Sequence, residues 1–523
     1  MQITDEKITA GNQDQYLGKD LSIDTPSNTV TITGDANLVG TSISVSAGKN
    51  LLVKYDGAVD AVSVGAHGEA TVSGSVKNIV VLADGELDVS ITNPKNKIES
   101  INAYGTVSED PEEIPNTYAY LNFLNGTADG VIFGYEKDDV PYHNAYVRAT
   151  IAANAIVSFA VMEKANIGVG TRLEVEAGAT VKNANFAAIS DKETVEDEKS
   201  ELILHVGTGT NFSGELAGTR VSVTASAKNL FLSAGNGEIG LPYDFRMFVE
   251  KGGSASGTQY AAFKNDILQY NKSFLVANNS FLQASNGGKL NKITAWNGGT
   301  VVLSDNGVLN GAQVLGKGRL RLGYEMEFVK GEMGEPDSWV QKEDVLLGGK
   351  ATNITVSGGE IGQRVGTLEK VTLSGYVSDP GTEKEYVLLG ALTVDGGYAG
   401  NITLQDYAIM NINNGIVEKV TVKGSTSYEF DGPSVVISGG DTYNLTLSPG
   451  KGKTALLSVS SGLAKVEKIV ANSGATVSAT AGHLTDVTLK SGSVLDVQGQ
   501  DALLSNVKVN KGAIATVYDL ADI

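Results

Sequence analysis

The sequence predicts an all-β chain, a parallel β-solenoid with about 20 residues per coil and several loop insertions. Three observations predict it: a recurring glycine turn, short apolar/polar alternation on either side of it, and an almost complete lack of helical periodicity. Composition agrees. With 63 Gly among 523 residues, glycine is roughly 12% against a usual value of about 7%, whereas 10 Pro is well below the usual share. That pairing excludes collagen-like and proline-rich chains. Hydrophobic residues at 41% allow a large core, and the sparse charge, 19%, is replaced by Gly, Ser, Thr and Asn, the residues of tight turns.

The repeat is clearest late in the chain. Val466-Glu-Lys-Ile-Val-Ala-Asn-Ser-Gly474-Ala-Thr-Val is followed by Leu484-Thr-Asp-Val-Thr-Leu-Lys-Ser-Gly492-Ser-Val-Leu-Asp-Val and by Leu504-Ser-Asn-Val-Lys-Val-Asn-Lys-Gly512-Ala-Ile-Ala-Thr-Val. Each copy reads apolar, two polar, an alternating run, a glycine turn and a second alternating run. The same turn is expected at Gly48, Gly68, Gly85 and Gly105, at Gly178, and at Gly299 and Gly318. Two short strands in so few residues cannot bury an apolar face alone, so each unit must stack on its neighbours. Inward positions are Val, Ile, Leu and Ala; outward ones form ladders of Thr, Ser and Asn, where stacked like charges would repel.

Taken in order, the chain is expected to hold N-terminal coils over 1–107, an aromatic insertion over 108–147, further coils over 148–240, an insertion or segment boundary over 241–270, and C-terminal coils over 271–523 with a loop insertion at 324–344. The insertions supply the candidate contact residues: Tyr118, Tyr120, Phe123, Tyr135 and Tyr142 in the first, Tyr243 and Phe245 in the second, Trp339 in the third. Aromatic rings on loops suit protein or glycan partners. They equally suit packing on the solenoid flank or filling its core, and the sequence leaves contact and packing open. The run from Asp191 to Glu201 reads as a solvated loop.

Several chemistries are excluded or weakened. The formal charge of −20 argues against nucleic acid and against anionic membrane surfaces. No apolar stretch is long enough for a membrane-spanning helix. The absence of cysteine removes disulfides, thiol catalysis and Cys-ligated zinc. His67, His143, His205 and His483 have no metal-ligand spacing, and no cofactor motif is present. Asp138-Asp139 reads as a polar loop tip, since glycosidic chemistry needs two carboxyls held at a set separation that adjacency does not supply. Asp305-Asn-Gly and Asp431-Gly read as turns rather than calcium ligands. Asn353, Asn401 and Asn444 form sequons, but their recurrence at one repeat position favours structural asparagine closing the backbone.

The repeats Val175-Glu-Ala-Gly-Ala-Thr-Val, Ile469-Val-Ala-Asn-Ser-Gly-Ala-Thr-Val and Val487-Thr-Leu-Lys-Ser-Gly-Ser-Val-Leu-Asp-Val resemble those of bacterial autotransporter passengers of the AIDA-like adhesin type. The resemblance covers about half the chain. It implies a right-handed β-helix outside a Gram-negative cell, acting in adhesion, aggregation or biofilm. It also implies O-linked sugars at positions such as Ser473 and Ser491, which read otherwise as plain turn serines. The copies here are less uniform than the family's, and with repeat sequence running to Val517-Tyr-Asp-Leu-Ala-Asp-Ile523 the chain is expected to be either a passenger fragment or a barrel-free protein exported by another route. Asp519 and Asp522 look like charges that discourage stacking on the last coil. The expected function is a non-enzymatic, secreted or surface-displayed structural or adhesive protein with no cofactor. Its partners would be protein or glycan surfaces or copies of itself, without nucleic acid or membrane insertion. A self-assembling surface layer or fibre and a β-helical polysaccharide lyase or glycosidase are the alternatives.

Overall fold

The computed structural model describes residues 58–65, 68–106, 117–134, 136–137, 140–141, 145–162, 165–187, 200–216, 219–228, 230–233, 243–264, 267–270, 272–278, 280–324, 326–329, 338–341, 348–378, 386–423, 433–450 and 452–518, with strand backbone also at 2–3, 8–9, 21–24, 29–32, 37–45 and 51–55. These residues are all-β, strands and turns without a helix. The chain divides into two compact units, Met1–Ala227 with Ser233–Phe248, and Lys228–Leu232 with Val249–Ile523.

Each unit is built on long runs of parallel pairing between strands that are not consecutive in sequence. In the second unit one ladder runs Val301, Leu320, Ile361, Leu392, Met410, Val435, Leu457, Val477, Leu495, each opposite the next. Every one of these side chains is buried. A second ladder interleaves with it, through Ile293, Ala312, Ile354, Val371, Ile402, Val420 and Leu445. Parallel neighbours cannot be joined by a hairpin, so each strand's successor in sequence must leave its ladder and return. Alternation supplies the reason for burial: inward and outward residues change places along each strand, and the inward set is apolar. The first unit repeats the plan through Ala70, Leu87, Leu121, Ala149, Leu173 and Leu202, all buried.

The step from one rung to the next is 18 residues between Leu392 and Met410 and between Val477 and Leu495. It lengthens where a hairpin leaves the ladder. Met326–Val329 pairs antiparallel with Ser338–Gln341, and Tyr376–Ser378 with Tyr386–Leu388, inside the two longest steps. Ala262–Lys264 with Ile267–Gln269, and Glu136–Lys137 with Val140–Pro141, are further hairpins of this kind. The expected aromatic insertion at 108–147 is therefore narrower than the sequence suggests. Ala119–Phe133 is a ladder strand, flanked in register by Glu86–Ser90 and Ile101–Ala103 on one side and by Val147–Phe159 on the other.

A left-handed residue marks one corner of most rungs. Lys292, Gly311, Asn353 and Lys370 occupy successive rungs at positive φ, as do Lys468, Asp486 and Asn506. This corner is the pair of polar residues that precedes each alternating run. Asn353 and Asn444 have φ of 60° and 50°; Asn444 donates its amide to the Glu418 carbonyl, and Asn353 to Asn310 Oδ1.

The turn glycines fall into two groups. Gly178, Gly474, Gly492 and Gly512 take positive φ themselves. Gly299 and Gly318 do not; each follows a left-handed residue, and a Cβ there would lie 2.0 Å from Val276 O or 2.4 Å from Ala295 O. Their constraint is close approach to the neighbouring rung. Gly85 and Gly105 are similarly crowded, and Gly68 opens the strand Gly68–Val72; Gly48 lies outside the described residues.

One outward row of the second unit is a neutral ladder, while other rows carry ion pairs such as Arg321–Glu360 and Lys350–Glu369. Thr355, Thr372, Thr403, Thr421 and Thr446 stand opposite one another in sequence.

Candidate functional site

The candidate contact rings separate when placed in the fold. Tyr118 and Tyr120 are half-buried at the start of the strand Ala119–Phe133. Phe123 and Phe245 are core residues, 1% and 2% exposed, and offer no ring to a partner; alternation turns Leu121 and Phe123 inward and Tyr120 and Asn122 outward. Tyr243 and Trp339 lie in the strands Tyr243–Val249 and Ser338–Gln341, with their side chains outside the described residues. Tyr135, Tyr142, Asp138-Asp139, His67, His143, Asp431, Asp519 and Asp522 also lie outside them.

Around Tyr120 the first unit gathers chemistry that the sequence does not announce. One outward row runs Glu69, Glu86, Tyr120, Arg148, Arg172, Glu201, each residue opposite the next. Beside it runs Thr71, Asp88, Asn122, Thr150, Glu174. Parallel strands are about 4.8 Å apart, so these side chains form a close-set polar face. The sequence hides it because ladder neighbours are separated by irregular distances along the chain, with intervening segments between them.

The face is internally organised. Asn122 Nδ2 donates to Glu86 Oε1 at 3.1 Å and to Asp88 Oδ1 at 2.9 Å. The Arg148 guanidinium sits 4.3 Å from the Tyr118 ring centroid, a cation–π contact, and Tyr118 meets Tyr146 edge-on. Arg172 Nε approaches Glu201 Oε2 at 3.3 Å, and Arg246 bonds the other oxygen of the same carboxylate. His205 Nε2 lies 3.6 Å from Glu174 and its ring stacks on Phe248. Burial pushes the Tyr120 phenol above its usual pKa, with Arg148 opposing. His205 holds Glu174 below the usual carboxylate range, against the opposing effect of partial burial.

Two lateral pairs on this face are like-charged, Glu69 with Glu86 and Arg148 with Arg172. Such pairs destabilise a sheet, and a purely structural ladder avoids them, as the threonine row of the second unit does. The carboxylates of Glu86 and Asp88 share one amide donor, so their accepting oxygens lie no more than about 6 Å apart.

The second unit has a charged cluster of its own, with Arg321 paired to Glu360 at 2.7 Å and the Arg321 and Arg364 guanidinium groups 5.9 and 5.4 Å from the Tyr324 ring centroid. The second unit has an open cleft of about 570 Å³ lined by Val387, Leu389, Tyr407, Ile409, Leu456 and Thr476, with no charged lining residue. Asp305 lies in a turn closed by Gly307 N–H to Ser304 O, and His483 is exposed on a strand. Among the described residues no three His, Asp or Glu side chains are grouped so as to hold a metal ion. No protein-family model and no curated protein matches this chain.

Proposed function

We propose that the protein is a right-handed parallel β-helix of about 20 residues per coil, acting as a non-enzymatic structural or adhesive protein secreted from, or displayed on, a bacterial cell. The observation that carries this reading is the pair of interleaved parallel ladders in the second unit, whose short steps repeat the glycine-turn spacing. A strand that leaves a ladder and returns one step later, in parallel, describes a coil. Right-handedness is supported by the strong preference of parallel crossovers for that hand and by the resemblance of the repeats to autotransporter passengers. The absence of cysteine suits export as an unfolded chain. The role is mechanical: within each unit, stacked coils hold contact groups on their outward faces at a repeating spacing. Copies of the chain, host proteins and glycans are the partners such faces suit.

The test is adhesion. Beads coated with the protein should aggregate with one another, or be retained on mucin- or fibronectin-coated glass, above beads coated with albumin. Retention and aggregation equal to the albumin control would remove the adhesive reading.

One observation favours a second reading, a β-helical polysaccharide lyase or glycosidase: the Glu86 and Asp88 carboxylates share the Asn122 amide on an open sheet face. That reading requires polysaccharide cleavage that Glu86→Gln or Asp88→Asn abolishes. No product from plant, fungal or bacterial polysaccharides would discard it.

A further inference from the structure

The structure points to a ligand class for the polar face of the first unit: we propose that it binds an extended, uncharged glycan lying along the stack, across Glu86, Asp88, Tyr120, Asn122, Arg148 and Thr150. The inference rests on the reading of that face as a contact surface and names what it contacts.

Composition comes first. On the later rungs of the second unit's ladder the outward row carries Ile409, Ser434, Leu456, Thr476 and Val494, residues that suit a sheet and ask nothing of a ligand, and its earlier rungs set the opposite charges Arg319 and Glu360 side by side. The first unit instead places a planar hydrogen-bonding group or an aromatic ring at nearly every outward position from Glu86 to Arg172, and keeps like-charged neighbours at a cost in stability. Carboxylates and a guanidinium each present two coplanar acceptors or donors, the geometry that matches a pair of vicinal hydroxyls, and Asn122, whose NH2 group bonds Glu86 and Asp88, adds its amide oxygen as an acceptor. Tyr120, half-buried and flanked by Glu86 and Arg148, offers a ring beside them for the C–H face of a pyranose.

Spacing and charge narrow the class. Successive rungs advance about 4.8 Å, close to the advance of one pyranose residue in an extended chain, so a linear glycan meets equivalent groups at each sugar. The face carries both signs within two rungs, Glu86 and Asp88 on one side of Tyr120 and Arg148 on the other. An anionic polymer meets the two carboxylates and a chain of net charge −20, and a cationic one meets Arg148. A neutral polyol satisfies both ends.

Calorimetric titration of the full chain with cellohexaose, chitohexaose and mannohexaose tests this, with hexagalacturonate as the charged comparison. At least one neutral hexasaccharide should bind. Its affinity should fall about 5- to 10-fold in Tyr120→Ala, the size expected for losing one aromatic contact, and less in Tyr120→Phe. Asn122→Ala and Thr150→Ala should weaken binding too, whereas Ser458→Ala in the second unit should not, with thermal unfolding checking the fold of each variant. Tighter binding of hexagalacturonate, no binding of any neutral hexasaccharide at millimolar concentration, or neutral binding unchanged in folded Tyr120→Ala and Thr150→Ala would overturn the proposal. Bead adhesion is a separate readout. It can fail while hexasaccharide binding persists, which would remove the adhesive role and leave the glycan face, and the reverse outcome would do the opposite.

Discussion

At single residues the fold is held by backbone geometry as much as by packing. Lys468 adopts φ of 57°, a conformation that costs an ordinary L-residue about 1–2 kcal/mol and that asparagine tolerates better. Lys468→Asn should therefore raise the urea midpoint, and an unchanged or lower midpoint would contradict the corner assignment. Gly299→Ala should lower stability by at least about 1–3 kcal/mol, because its Cβ has backbone oxygen where space is needed. Gly462→Ala, with nothing within 4 Å of its new Cβ, should stay within about 0.5 kcal/mol. The Glu174–His205 contact makes a pH prediction. Because the folded pKa of Glu174 is lowered, its contribution is complete above the unfolded value, about 4.3, and is lost as pH falls through the folded value. Glu174→Gln should lose less thermal stability than the wild type between pH 6 and pH 3. Equal losses would show that the contact does not contribute.

At the level of strands, alternation decides which side chains carry stability. Leu457 is fully buried and its neighbour Leu456 is 40% exposed. Leu457→Ala should cost about 2–5 kcal/mol and Leu456→Ala less than about 1 kcal/mol in denaturant unfolding; comparable losses would contradict the assigned faces. This alternation was legible in the sequence from Val466 to Val517, where uninterrupted copies lie end to end. Asparagine at the corner was legible in part, since asparagine tolerates left-handed backbone: of Asn353, Asn401 and Asn444, placed at one repeat position, Asn353 and Asn444 take left-handed backbone and Asn401 does not. Lys370 and Lys468 were not legible, because lysine has no such preference. The strand Ala119–Phe133 was obscured by its aromatic content and by the proline-bearing segment before it, which left Phe123 open between a contact ring and a core residue; its spacing from Leu121 turns it inward. The polar face was hidden for a different reason. Glu86, Tyr120, Arg148 and Arg172 are neighbours only through register, and the residues between them vary in number, so no fixed sequence period links them.

For the molecule as a whole, the central claim is that the second unit's ladders are the stacked rungs of successive coils. The row Thr393, Asn411, Val436, Ser458, Ser478, Asp496, Thr516 runs outward along that stack, each residue opposite the next. Residues far apart in sequence are thereby held at multiples of one rung. The chain has no cysteine, so spin labels can be attached at introduced cysteines without background. The most direct measurement is a set of electron–electron distances from a label at Thr393 to labels at Ser458, Asp496 and Thr516. Stacked coils predict distances that grow in proportion to the rungs crossed, with the last two near 24 Å and 29 Å at about 4.8 Å per rung. Distances that fail to grow in that proportion, or broad distributions without a defined maximum, would contradict the account.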